Sequence, residues 1–270
     1  MIDPAAYLIQ AGEKLDLAAH DPDDKSGFDG DKEQGKKQLP GLVEEIARLQ
    51  RRLWAESTRS LLVVLQGLDT GGKDGTIRHV LGGVNPQGVH VRGFGEPTEE
   101  EAAHDFLWRV HQDTPEDGAI TVFNRSHYED VLVARVKELV PPAVWSARYE
   151  HIRAFERLLA DEGTTIVKIY LHISKDEQKK RLERRLARPD KRWKFDTGDL
   201  DDRSLWDSYI EAYQDAITET STEHAPWYVI PANRKWYRDL VVASLLIDTL
   251  ERIDPRYPEP DEDLNGLEIR

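Results

Sequence analysis

The sequence predicts an α/β fold of three layers, a parallel sheet of five strands with helices packed on both faces. Three observations predict it. Short runs rich in Val, Ile and Leu recur at 61–66, 89–92, 120–123, 166–171 and 227–231. Stretches with apolar residues at every third or fourth position separate them, and strands alternating with helices build a parallel sheet covered on both sides. The first strand leads into a helix through a glycine-rich turn, Gly67-Leu68-Asp69-Thr70-Gly71-Gly72-Lys73-Asp74-Gly75-Thr76.

Strand, glycine-rich turn and helix are the context that a phosphate-binding loop requires. Glycines let the backbone curl and aim N–H groups inward, and the helix N-terminus adds partial positive charge. Gly71, Gly72, Lys73, Asp74, Gly75 and Thr76 are therefore expected to cradle phosphate, with Arg78 one turn further along. Gly67 and Gly72-Lys73 keep the G-x-x-x-x-G-K spacing, but Asp74 stands where a magnesium-ligating Ser or Thr is usual. Asp69 lies inside the loop, where a bare carboxylate would repel phosphate. It makes most sense as a ligand to Mg²⁺ bridging phosphates. An acid at position 74 equally suits the first turn of a helix.

The elements follow in order. Residues 1–38 are polar and acidic and read as an extended segment wrapped over a domain at 39–255. Leu42, Ile46, Leu49 and Leu53 predict an amphipathic helix over 42–54. Thr98-Glu99-Glu100-Glu101 is a capping box opening a helix that carries Phe106 and Val110 on one face. Helices are expected over 130–139 and 144–161, the second with Trp145, Tyr149, Ile152, Phe155 and Leu159 inward. Ser174 and Glu177 form a second capping box before a strongly basic helix. A further helix holds Leu205, Trp206, Tyr209 and Tyr213, and residues 240–250 lie in a closing helix before an acidic tail at 256–270.

In a parallel sheet, ligands bind at the carboxyl ends of the strands. The phosphate loop, the Asn124-Arg125 turn and the segment after Leu171 should therefore share one site. The strand beside a phosphate loop usually ends in a magnesium-supporting carboxylate. Here that residue is Asn124, which can ligate through its oxygen without charge. Arg125 could bind phosphate bidentately and neutralise charge on the transferred group. Glu129 and Asp130 offer a base or a metal ligand if they face the cleft, and ordinary helix-capping acids if they do not.

The run 179–194 holds Lys179, Lys180, Arg181, Arg184, Arg185, Arg188, Lys191, Arg192 and Lys194 against Glu183 and Asp190. Arg181, Arg184, Arg185 and Arg188 fall on one helical face. The surplus is out of character in a chain of net charge −14. It lies where phosphate-loop kinases carry a mobile lid, so 179–200 reads as a helical lid that clamps something highly anionic.

Composition excludes other classes. With 270 residues and no cysteine, the chain has no disulfide framework and no thiolate metal site. The net charge argues against a general nucleic-acid binder. No apolar run approaches the roughly 18 residues that span a membrane, so a soluble cytoplasmic protein is expected. Ala232-Asn233-Arg234-Lys235 is not the guanine-reading motif of a GTP switch.

The loop motif, Pro97-Thr98-Glu99-Glu100-Glu101, Phe123-Asn124-Arg125-Ser126-His127-Tyr128-Glu129-Asp130 and Arg192-Trp193-Lys194-Phe195 together resemble the second family of polyphosphate kinases. The resemblance runs over about 20–255 with the motifs in the same order. It implies a thymidylate-kinase-like sheet and reversible phosphoryl transfer between inorganic polyphosphate and nucleotides. The transfer would need Mg²⁺, with Mn²⁺ as a substitute, and no covalent intermediate. By the resemblance Asp69 would hold the metal, Lys73 and Arg125 the transferred and neighbouring phosphates, and Arg181, Arg184, Arg185, Arg188, Arg192 and Lys194 the polymer or nucleotide. Many members carry Asp where this chain has Asn124. Asn-bearing sequences resemble the branch that accepts AMP as well as ADP. Adenine nucleotides are the expected acceptors, guanine nucleotides a further class, and a homo-oligomer (dimer or tetramer) the expected assembly. Two other readings share the loop: an ATP-dependent nucleoside monophosphate kinase, and a non-catalytic nucleotide-binding regulator.

Overall fold

Short β-branched runs become strands, and the amphipathic stretches between them fold back as helices over the sheet. The computed structural model describes residues 1–260 and 262, so most of the acidic tail expected at 256–270 lies outside the described residues. In chain order the strands are β1 (Leu8–Ile9), β2 (Ser60–Gln66), β3 (Val89–Gly93), β4 (Ile120–Asn124), β5 (Thr164–His172) and β6 (Trp227–Pro231). The helices are α1 (Lys32–Glu56), α2 (Lys73–Val80), α3 (Glu99–Ala102), α4 (Trp108–His111), α5 (Glu129–Val136), α6 (Pro142–Asp161), α7 (Lys175–Ala187), α8 (Gly198–Ser204), α9 (Trp206–Thr220) and α10 (Lys235–Ile253). A 3₁₀ turn, Pro189–Lys194, links α7 to α8.

The sheet order is β1-β6-β5-β2-β4-β3. All neighbours are parallel except β1, which pairs antiparallel with β6 through Leu8↔Tyr228 and Ile9↔Trp227. The five expected strands form the parallel part, and β1 makes a sixth. A two-residue strand has no periodicity to read, and only the tertiary structure brings it to the β6 edge. Ile2, Tyr7, Ile9, Leu15 and Leu17 are buried there. Helices α1, α2 and α10 pack together on one side, and α5, α6 and α9 on the other. This is the α/β phosphate-loop kinase arrangement.

Several boundaries differ from expectation. Helix α1 starts at Lys32, ten residues before the predicted start, on a capping box between Asp31 and Gln34. Gly35 and Pro40 both lie inside it, and a Cβ at Gly35 would lie 2.6 Å from the Trp236 ring, so this glycine lets α1 approach α10 closely. The helix expected to carry Phe106 and Val110 is divided into α3 and α4, because the Asp105 side chain accepts from Leu107 N at 3.0 Å and starts a new turn. Strand β5 carries Lys168, fully buried, whose Nζ donates to Glu156 Oε2 at 2.6 Å, Tyr128 Oη at 2.9 Å and the Thr220 carbonyl at 2.7 Å. That network ties β5 to α6, α9 and the turn before α5.

Candidate active site

The carboxyl ends of β2, β4 and β5 converge on the phosphate loop. Leu65 stands beside Asn124 and Gln66 beside Tyr170 in register, so the residues following each strand share one edge. Two non-glycine residues there have left-handed backbone, Thr70 (φ 61°) and Arg125 (φ 64°). Such strain collects at functional sites. The loop closes with Gly71 N donating to Leu68 O at 2.9 Å, and α2 opens with Thr76 N donating to Gly72 O at 2.9 Å.

Lys73 folds back across the loop, its Nζ donating to Gly67 O at 2.5 Å. Burial, with the nearby Arg125 charge, holds its ammonium below the usual lysine range. Arg125 Nη2 donates to Asp69 Oδ1 at 2.9 Å. Burial holds the Glu129 carboxyl above its usual range, opposed by the Arg125 and Lys73 charges. Asp69, Lys73, Arg125 and Glu129 therefore form one electrostatic cluster at the loop.

Asp74, in the first turn of α2, is exposed and is bound at both oxygens. Asn124 Nδ2 donates to Oδ1 at 2.9 Å, and Lys194 Nζ from the lid reaches Oδ2 at 2.7 Å. The Lys194 ammonium holds the Asp74 carboxyl below its usual range. Asp130 is turned to a different group, with Arg148 Nη1 at 3.4 Å and Arg109 Nη2 at 3.6 Å, and burial raises its carboxyl. The structure does not bring it to the loop cluster. Arg78 is exposed on α2, with His79 Nε2 3.4 Å from its Nη2.

The basic run divides. Arg181 does not share an outward stripe with its neighbours: it is 5 % exposed. Its Nη1 donates to the Thr70 and Gly71 carbonyls, both at 2.9 Å, its Nη2 to those of Ala232 (2.5 Å) and Asn233 (3.0 Å), and its Nε to Glu177 at 2.8 Å. A guanidinium so fully occupied pins the loop from behind and has no N–H left for a ligand. Arg184 is exposed, with its Nη2 3.3 Å from Glu177. Arg185 donates to Asp199 Oδ2 at 2.9 Å and Lys194 O at 3.1 Å, stitching α7 to the rest of the lid. Arg188 pairs with Asp190 at 2.7 Å and Arg192 donates to Leu186 O at 2.7 Å, both at the exposed surface. Trp193 lies 77 % exposed beside Lys194.

A family model described as polyphosphate kinase 2 matches residues 29–258. The chain belongs to the polyphosphate kinase 2 family. It is 58 % identical over 255 residues to the AMP/ADP-polyphosphate phosphotransferase of Meiothermus ruber, covering 94 % of this chain and 96 % of the relative. To the ADP-polyphosphate phosphotransferase of Rhodopseudomonas palustris it is 43 % identical, covering 94 % and 91 %. The crystal structure of polyphosphate kinase 2 from Arthrobacter aurescens TC1 superposes with a TM-score of 0.93 at 45 % identity, covering 97 % of this chain and 94 % of that one. The protein is thus an enzyme that transfers phosphoryl groups.

Among the described residues of this polyphosphate kinase 2 family member, no three His, Cys, Asp or Glu side chains converge to hold a metal by themselves. Asp69 at the loop suits a divalent cation that brings most of its coordination as phosphate oxygens and water, the usual habit of Mg²⁺. Among the described residues no helix is long and apolar enough to cross a membrane.

Sequence reasoning missed several residues here. Gln178 is buried in α7 and donates to the Asp69 carbonyl at 3.3 Å. Asp199, in the lid, has its carboxyl raised by burial and next by the charge of Asp69. Neither carries a motif. Arg238 was missed as well: it is the third cation of Arg234-Lys235-Trp236-Tyr237-Arg238, and nothing local separates it from the two before it.

Proposed function

We propose that this chain moves a phosphoryl group from inorganic polyphosphate to AMP and ADP, giving ADP and ATP, reversibly and without a covalent intermediate. The observation that carries it is the Asp69–Lys73–Arg125 cluster beneath a lid rich in arginine and lysine. Phosphoryl transfer asks mainly for positioning and for neutralisation of charge on the transferred group. Lys73 and Arg125 supply two cations at the loop, and the loop N–H groups hold the donor phosphate. Asp69 would hold Mg²⁺, which supplies charge neutralisation between adjacent phosphates. The attacking nucleotide phosphate is already ionised, so no strong general base is needed, and Glu129 serves to hold Lys73 and Arg125 in place.

The exposed lid cations Arg184, Arg188, Arg192 and Lys194 extend the basic surface along the polymer. Lys194 would exchange its Asp74 partner for phosphate as the donor binds. Asn124 supports use of AMP: its amide satisfies Asp74, so the strand end adds no negative charge. The name of the Meiothermus ruber relative gives AMP and ADP as acceptors, and that of the Rhodopseudomonas palustris relative gives ADP.

The test is to mix purified protein with AMP, Mg²⁺ and long-chain polyphosphate, without ATP, and to follow nucleotides by chromatography. ADP and then ATP should appear. Conversion of added ADP alone would remove the AMP step. Silence until ATP is supplied would mean that a nucleotide kinase's lid has been read as a polyphosphate track.

A further inference from the structure

Behind the phosphate loop lies a second buried cation that the transfer chemistry above does not use. Arg238 stands in the first turn of α10 and is 1 % exposed. Its Nε and Nη2 donate to one oxygen of Asp239, at 3.0 and 2.6 Å. The other Asp239 oxygen accepts from His79 Nδ1 at 2.8 Å, and His79 belongs to α2, the helix that the loop opens. Among the described residues Arg238 Nη1 has no hydrogen-bond partner. A buried N–H left without an acceptor is costly and calls for a reason.

The reason lies in what Nη1 faces. A Cβ placed on Gly72 would lie 2.0 Å from it, and one on Gly75 would lie 3.5 Å from Nη2. Arg238 thus fills the space that a side chain at position 72 would need, against backbone at φ 110° that favours glycine in any case. Arg181 grips the loop at Thr70 and Gly71, and Arg238 backs the next residue. The carboxylate that balances Arg238, that of Asp239, binds Nε and Nη2 and is tied to His79, while Nη1 lies toward Gly72. Nη1 is therefore the buried edge of the guanidinium that faces the loop and that the carboxylate does not occupy.

We infer that Arg238 is a positioning residue for the donor phosphates. It supports the Gly72 turn and adds positive potential behind the loop N–H groups, while Asp239 and His79 set its orientation. This rests on the reading of the loop as the polyphosphate site. A helix outside the loop's own strand–helix unit thereby sets the loop's affinity for anions.

The experiment compares Arg238→Met, Arg238→Lys and His79→Asn with wild type, in full-length protein. KM for polyphosphate and KM for ADP are measured separately, with kcat and melting temperature. Arg238→Met should raise the polyphosphate KM about tenfold, the scale of one charge-assisted contact, with the ADP KM changed less than about twofold. Arg238→Lys should recover most of the loss, since it restores the charge. His79→Asn, a change at a half-exposed side chain that leaves the core packed, should raise the polyphosphate KM about threefold at an unchanged melting temperature. Equal rises in both KM values, or no rise in the polyphosphate KM, would overturn the inference. Should Arg238→Met fail to fold, an unchanged polyphosphate KM in His79→Asn overturns it instead. A wild type idle with polyphosphate but active with ATP overturns the donor reading alone, and the same KM split measured on ATP then decides the role of Arg238.

Discussion

Arg181→Met removes a charge whose guanidinium contacts four backbone carbonyls and one carboxylate, and it separates two roles for the basic helix. In wild type the guanidinium ties Thr70 and Gly71 of the loop to Ala232 and Asn233 after β6, and is held by Glu177. Methionine matches much of the stem's length and none of the hydrogen bonds. Losing one partner of a buried charged network costs about 3–5 kcal/mol, because the remaining partners stay buried and unmet. At about 2–4 °C per kcal/mol for a chain of this size, the melting temperature should fall by roughly 6–20 °C. The control is Arg184→Gln, one helical turn away with a side chain 60 % exposed. It should melt as wild type does and raise the polyphosphate KM. Thermal melts followed by circular dichroism, with kinetics on the same samples, provide the assay. If Arg181→Met melts within about 2 °C of wild type, Arg181 is not a pin, and the contrast between the two arginines collapses.

Lys73→Ala should lower turnover by a factor of about 10²–10³ or more, as loss of a preorganised cation at the transferred group does, with an unchanged far-UV spectrum; near-wild-type turnover would refute the loop assignment. Asn124→Asp places a second carboxylate against Asp74 Oδ1, now 2.9 Å from the amide. The added charge should hold the Lys194 ammonium more tightly, hinder its release to phosphate and lower kcat/KM for AMP relative to ADP by about tenfold, and an unchanged ratio would sever Asn124 from acceptor choice. His172 is buried at the end of β5, and burial, with the His20 charge next, pushes its imidazole down to about 4. The native state then binds fewer protons than the unfolded chain, so stability present above pH 6.5 is lost as pH falls, by about 3 kcal/mol at pH 4. Urea midpoints at pH 7 and pH 4 should converge for His172→Gln relative to wild type; parallel losses in both would refute the assignment to this residue.

How much was legible in the sequence depended on whether the physics was local. Glycine spacing after a β-branched run specifies a phosphate loop without reference to the rest of the chain, and strand–helix alternation specifies a parallel sheet with its ligand edge. The placing of Asp69, Lys73, Asn124 and Arg125 at one edge follows from those two facts. The basic run shows the limit. Helical spacing states that Arg181, Arg184 and Arg188 share a face, but not that the loop and the segment after β6 close over the first of them. Glu129 and Asp130 are adjacent in sequence and alike in chemistry. One joins the loop cluster and the other the Arg109–Arg148 pair, because neighbouring residues on a helix point about 100° apart. Strand β1, the early start of α1 and the backing of Gly72 by Arg238 all rest on contacts between residues far apart in sequence. Local patterns establish which groups this chain carries. Which of them are buried, paired or left facing a ligand was decided only when distant segments packed together, since burial and partnership belong to the packed whole.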